Sequence, residues 1–435
     1  MKIFATTGLF LGLSPWSGCS KSNKGLKILV LSGTNFVGPC IVNAALEKGH
    51  QVTLFNRGIT NPQLFPKLEL IKGDREQGIG VYEPLKKTHW DAVIDVWPEK
   101  AGLVDEAARA LKNQTDHYVF ISSIAVYRDF QEVGLNEDSA VVEPGPDPEE
   151  WYYPEEKIVA EQKVAERYPE KYTILRPGPI KGWRDPALDL LYWLVKLKRN
   201  ESILAPGTGK DPLQFIDVKA LGAFVIKALE ENITGVYNCT GPERETLYWD
   251  EFLNLAGEHL GSDSELYWAE EDFLRTNKVR SFEDLPLWAP LSEDRGFMQI
   301  SMEKANSAGF QYRPITETID DCLNWFEKEY NGDLAFGAGD YPVGLERSRE
   351  LELIECHLLL LNFCRVYRPY PPKPTWQWQN HPLPLQQQTY LCPSLPPDAL
   401  ISSARAILFR GDEVMVIRDH QKKPYIVPGG RREAG

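Results

Sequence analysis

The sequence predicts an α/β fold, a doubly wound parallel sheet, and two observations carry that reading. The first is "LKILVLSG", residues 26–33, an apolar run of strand length that passes through a turn into "PCIVNAALEKGH" and then "QVTLFNRG". Ile41, Val42, Ala44, Ala45 and Leu46 recur at roughly helical spacing, so strand, helix and strand make one unit of about 30 residues. The second is a train of further apolar runs, "LELIKGDRE", "DAVIDVWP", "DHYVFISS" and "YTILRPGP", each a candidate strand. The run at 116–123 is very apolar, as expected of a central strand covered on both faces.

With 435 residues, 43% hydrophobic and 25% charged, the chain has the composition of a globular protein larger than one ordinary domain. A net charge of -14, without a long Lys/Arg run, argues against broad binding to nucleic acid. The seven cysteines contain no Cys-x-x-Cys pair and the seven histidines no metal-ligand spacing, so no metal site and no disulfide framework is expected. Residues 1–25 have the layout of a secretory leader: one early lysine, an apolar run to about Leu13, then Ser17-Gly18-Cys19. They resemble a bacterial lipoprotein signal with Cys19 as the lipidated residue, which implies export and a membrane anchor; the alternative is an uncleaved leader on a cytoplasmic protein.

The turn after the first strand reads Ser32-Gly33-Thr34-Asn35-Phe36-Val37-Gly38. Such a turn lets backbone N–H groups and a helix N-terminus approach a pyrophosphate, which favours glycine, and Gly33 and Gly38 are present. Asn35 stands at a usual glycine position, a mild exchange because Asn tolerates left-handed backbone better than other side chains. Ser32 adds only a hydroxyl at the strand's end. At the end of the second strand, Asn56-Arg57 carries a cation and no acid, which favours the 2′-phosphate of NADP over the bare ribose of NAD; the bland alternative is a solvated arginine.

Ligands of such sheets sit at the carboxyl ends of the strands, where the fifth run ends in Ser122-Ser123 and then Tyr127. Thirty residues later, Tyr153 and Lys157 are four apart on a helix-patterned segment and share a face. A lone Tyr-x-x-x-Lys is an ordinary surface pair, but behind this turn and these serines it reads as catalytic. Tyr153 would be the general acid/base, Lys157 would favour its phenolate and hold the nicotinamide ribose, and Ser123 would hydrogen-bond the substrate oxygen.

Together "GTNFVG", the serine strand and Tyr153/Lys157 resemble the NAD-dependent epimerase/dehydratase family of extended and atypical short-chain dehydrogenases/reductases. The resemblance spans about residues 26–357, with the substrate region mainly at 178–330. It implies an oxidoreductase, epimerase or dehydratase acting on a hydroxyl or keto group of a small polar substrate such as a sugar or nucleotide sugar. It also implies that Asp74 bonds the adenine amino group beside Arg75, that Val96 and Trp97 lie under the cofactor with Ser122, and that Pro177 and Gly178 pass the nicotinamide ring. Trp97, Tyr127 and Trp183 are the substrate candidates, although the many tryptophans of this half are expected to be mostly core. A nucleotide-bound sensor or RNA-associated protein on the same fold is the alternative. The acidic stretch 130–150 is expected to be a mobile flap, and Asp217 to cap a helix.

Residues 358–398 are aromatic and Pro-rich and read as a linker. Residues 399–435 alternate as two strands around Gly411-Asp412 and resemble the opening of a Nudix hydrolase, whose signature would begin at Gly430. The chain stops at Gly435, before the Glu-rich metal-binding helix, so an incomplete, inactive fragment is expected.

Overall fold

The computed structural model describes residues 25–97, 99–241, 246–339 and 341–366, and beyond these only strands at 368–369, 377–378, 381–382, 389–392, 404–410 and 413–418. The leader reading, Cys19 included, falls outside the described residues. The chain runs β1 (Lys27–Leu31), α1 (Val37–Glu47), β2 (Gln51–Asn56), β3 (Glu69–Lys72), β4 (Ala92–Asp95), α2 (Ala101–Leu111), β5 (Tyr118–Ile121), α3 (Tyr153–Arg167) and β6 (Tyr172–Pro177). It continues through β7 (Ile180–Lys181), α4 (Asp189–Lys198), β8 (Ile203–Pro206), β9 (Pro212–Leu213), β10 (Ile216–Asp217), α5 (Val218–Glu230) and β11 (Gly235–Cys239).

Seven of these strands form one sheet in the order β11-β6-β5-β4-β1-β2-β3, and every neighbouring pair is parallel. The strand order reverses at β1, which opens a crevice between the carboxyl ends of β1 and β4. Period-two alternation divides β1 between two layers. Ile28 and Val30 pack with Ile41 of α1 and Leu221 of α5, whereas Leu29 and Leu31 pack with Val104 of α2 and Val164 of α3. The Rossmann-type α/β fold is therefore the one the sequence predicts.

Much of the region after β6, α5 and β11 apart, builds a separate core, in which Trp193, Trp249 and Trp288 are buried. The aromatic residues there are core, as weighed from the sequence, while Trp183 and Trp268 are only partly covered. Asp217 caps α5 by accepting from the amides of Lys219 (2.8 Å) and Ala220 (2.9 Å). A long helix, Arg347–Val366, carries the regular structure past residue 357, where the sequence placed a boundary. "LELIECHLLLLN" contains only helix-compatible residues, and the first proline comes at 369, so nothing stops the helix earlier. Ala404–Arg410 and Glu413–Arg418 pair antiparallel with Arg410 opposite Glu413, the hairpin that the alternation predicted; Gly430 falls outside the described residues.

His117, just before β5, is buried with Nε2 2.7 Å from Thr173 Oγ1 on β6. Burial lowers its pKa from 6.5 to about 4. The unfolded chain therefore binds one proton more than the folded chain between those values, and stability is lost as pH falls through that window, by roughly 3 kcal/mol in all. In urea unfolding, the wild type should lose stability more steeply than His117→Gln from pH 6.5 to 4. Equal slopes would show that His117 is not the group responsible.

Candidate active site

The turn between β1 and α1 is held by backbone contact. A Cβ at Gly38 would lie 2.3 Å from the Cα of Gly33, so the helix start rests directly on the turn. Gly33 has φ +86°. The second left-handed residue is Ser32, at φ +81°, and not Asn35, which does not have a positive φ. The exchange that looked mild at Asn35 is thus a strained one at Ser32. The cause is pairing with β2: the Ser32 amide donates to Phe55 O (2.9 Å), and its carbonyl accepts from Asn56 Nδ2 (2.8 Å). The Thr34 carbonyl is held by Asn61 Nδ2 at 2.8 Å. Phe36 is the N-cap of α1; no side chain caps the helix and no acid lies in its first turn, which begins at Val37. Its first amides are left for an anion, so this turn fits the pyrophosphate of a dinucleotide.

The ends of the next strands divide between side chains that stay exposed and side chains committed inward. Asn56 is committed inward, since its Oδ1 also accepts from the Gly58 amide at 2.7 Å. Arg57 is exposed and has no side-chain partner among the described residues. Asp74 caps a short turn by accepting from the Glu76 amide (3.2 Å). Arg75, grouped with the cofactor residues from the sequence, instead points into the protein. It forms a two-pronged pair with Asp95 at 2.7 and 2.9 Å and donates to Tyr82 and to Leu103 O. Burial disfavours the Arg75 cation, but Asp95 overcomes that and holds it above its ordinary value. Ser122 is likewise turned inward, donating to Glu161, which also pairs with Arg176. Pro177 and Gly178 are buried at the end of β6, where a Cβ on Gly178 would lie 2.5 Å from Thr240 Oγ1.

Three side chains that the sequence grouped do converge. Tyr153 opens α3, followed by Pro154 at a position where a missing N–H is harmless, and Lys157 lies one turn on. The Ser123 hydroxyl lies close enough to the Tyr153 phenol to influence its ionisation, and its oxygen accepts from the Ala125 amide at 3.1 Å. Desolvation raises the Tyr153 phenol above its ordinary value and Ser123 pulls it down. Lys157 is 1% exposed; its Nζ donates to Ile121 O at 2.7 Å and sits 3.9 Å from the ring centre of Trp97. Burial drives its pKa well below the ordinary lysine value, against the opposing pull of Asp95 and Glu161. Trp97 meets the Tyr153 ring edge-on at 6.0 Å, so this indole, singled out for substrate, covers the lysine. Its partially covered position after β4 follows from the Val96 amide still pairing with Leu31 O at 3.3 Å.

Tyr127 is buried with its hydroxyl on Asn238 Oδ1 at 2.6 Å, which makes it a packing residue. Trp183 is partly buried between two cores. The stretch 130–150, expected to be a mobile flap, is fastened along much of its first half. Glu137 Oε1 accepts the Asn238 amide (2.7 Å), Asn238 Nδ2 reaches Leu135 O (3.4 Å), and the Gly134 amide donates to Gln299 O (2.8 Å). Asp95, Glu161 and Trp97 are the neighbours of the lysine that sequence spacing did not single out for this role. Glu161 stands one helical turn beyond Lys157, which was the one available signal.

A model of the NAD dependent epimerase/dehydratase family matches residues 28–240. Among curated proteins the chain is similar to chloroplast stem-loop binding protein of 41 kDa b of Arabidopsis thaliana, 27% identical over 235 residues, 51% of this chain and 60% of that protein. The match therefore spans less than two thirds of that relative. Similar solved structures include UDP-glucuronic acid 4-epimerase from Bacillus cereus in complex with NAD, with 16% identity, 70% and 100% of the two chains covered and a TM-score of 0.51. The UDP-Glc/GlcNAc 4-epimerase from Campylobacter jejuni is another, with 15% identity, the same coverage and a TM-score of 0.53. At these identities the structures establish the fold. The family match over residues 28–240 supports an enzyme.

Left-handed backbone on a serine costs on the order of 1 kcal/mol, which glycine does not incur. Ser32→Gly is therefore expected to raise the unfolding free energy by about 1 kcal/mol, while Asn35→Gly lowers or leaves it. Chemical denaturation of both variants checks this, and a destabilised Ser32→Gly would contradict the strain.

Proposed function

We propose that this chain is an NAD(P)-dependent enzyme that moves hydride to or from a hydroxyl- or keto-bearing carbon of a small polar substrate, such as a sugar or nucleotide sugar. The observation that carries the reading is the convergence of Ser123, Tyr153 and Lys157 at the carboxyl ends of the strands, beside a glycine turn with uncapped helix amides. When bound, the nicotinamide supplies the hydride acceptor or donor.

Everything else falls to the chain's own residues. The Gly33–Gly38 turn would receive the pyrophosphate, Asp74 the adenine, and exposed Arg57 a 2′-phosphate, giving a preference for NADP. Tyr153 would pass the hydroxyl proton, and its raised pKa keeps the phenol protonated, ready to donate, until a nearby cation or the substrate lowers it. Ser123, beside that phenol, would orient the substrate oxygen. Lys157 is poised behind them, withheld from water by Trp97 and fixed on Ile121 O.

A second reading keeps the fold without turnover: a nucleotide-bound protein that associates with nucleic acid. The likeness to the stem-loop binding protein favours it, and a net charge of -14 weighs against it. A hairpin RNA titrated into the protein, with and without NADPH, separates the two.

Calorimetric titration of the full chain with NADPH and with NADH is the direct test. Binding of either, tighter for NADPH and levelled by Arg57→Ala, is expected; binding of neither would overturn the reading. Nucleotide sugars incubated with enzyme and cofactor and separated by chromatography would then report turnover. Tyr153→Phe should reduce it by about 10²–10⁴-fold while leaving cofactor affinity within a few-fold, because the phenol acts on the proton and not on the dinucleotide.

A further inference from the structure

The loop that follows β7 returns to the glycine turn. Arg184 lies on it, 149 residues along the chain from Asn35, and its Nε donates to the Asn35 carbonyl at 3.3 Å. Three further observations bear on this contact. Arg184 has φ +65°, backbone that an arginine adopts only where its surroundings impose it. The loop around it is braced: Lys181 pairs with Asp185 at 3.1 Å and with Asp189 at 2.6 Å, the Asp185 amide donates to Gly182 O, and β7 pairs with β10. Burial opposes the Lys181 cation, and the two carboxylates hold it above its ordinary value, so this brace stays charged. Lastly, the Arg184 guanidinium has no carboxylate partner among the described residues, although 62 acids populate the chain. A stiff loop thus presents a cation that leans on the Trp183 ring (5.6 Å) and has no carboxylate partner, in strained backbone, to a turn whose amides beyond Ser32 have no partner among the described residues.

We propose that Arg184 is the cation that closes over the pyrophosphate of the bound dinucleotide, so that the substrate half of the chain helps to hold the cofactor. This rests on the dinucleotide reading above. With Nε spent on the Asn35 carbonyl, the two terminal nitrogens keep their N–H donors, and a guanidinium pairs with phosphate oxygens through charge-assisted bonds. The turn alone offers neutral amides and a helix N-terminus, so Arg184 adds one formal positive charge beside a doubly charged pyrophosphate.

The test is calorimetric titration of the full chain with NADH, NADPH and adenosine at two salt concentrations, for wild type, Arg184→Gln and Arg184→Gly. Gly relieves the positive φ, so that variant is expected to be at least as stable as wild type and guards against loss of affinity through misfolding. The proposal expects both variants to bind NADH and NADPH tenfold or more weakly, with a shallower dependence on salt, and adenosine unchanged. Wild-type binding with unchanged affinity and salt dependence in both variants overturns the role of Arg184 and leaves the dinucleotide reading standing. No dinucleotide binding by wild type overturns both.

Discussion

A carboxylate sealed from water has to meet a cation, and at the carboxyl edge of this sheet two such meetings set the geometry of everything above them. Asp95, fully buried at the end of β4, takes both prongs of Arg75 and the Tyr118 hydroxyl. Glu161 of α3 takes Arg176 from β6 and the Ser122 hydroxyl from the end of β5. Removing one member of such a pair typically costs about 3–5 kcal/mol, far more than the pair adds over an apolar substitute, so its effect is to fix one arrangement. Lys157 feels both acids. Its ammonium is buried next to aromatic rings, and the acids partly offset that burial.

The parallel sheet and its succession of strands along the chain could be read from the sequence because buried parallel strands are written as uninterrupted apolar runs with a turn at each end. Tyr153 and Lys157 were legible for a related reason: helical spacing fixes which face two residues share whatever the tertiary context. The turn's backbone was not. Which residue of Ser32-Gly33-Thr34-Asn35 takes positive φ depends on the hydrogen bonds that β2 makes to Ser32, and those come from a strand about twenty residues away. Arg75 and Asp74 show the same limit at closer quarters. Adjacent in sequence at the end of a strand, they part because one finds Asp95 beneath the sheet and the other finds only its own turn.

Trp97 is where local and global information diverge most. As an aromatic residue at the end of a strand it reads as substrate-facing, yet it lies over Lys157 at cation–π distance and edge-on to Tyr153. The indole therefore does two things to one amine. Its face attracts the charge, while its bulk removes the water that would stabilise that charge. Because the second effect prevails, the lysine is kept less basic than a surface lysine, a state that spacing in the sequence cannot express.

The attachment of the 134–137 segment to Asn238 has a consequence for the protein as a solute. β11 ends the sheet and pairs only with β6, so its outer side would otherwise offer backbone donors to any passing extended chain. The outward amide of Asn238 is instead taken by the Glu137 carboxylate, and its side chain is tied to Leu135 and Ser301. A negative charge and a crossing loop stand where a foreign strand would have to add. The same contacts that steady the loop near the site thus keep seven parallel strands from becoming eight across two molecules.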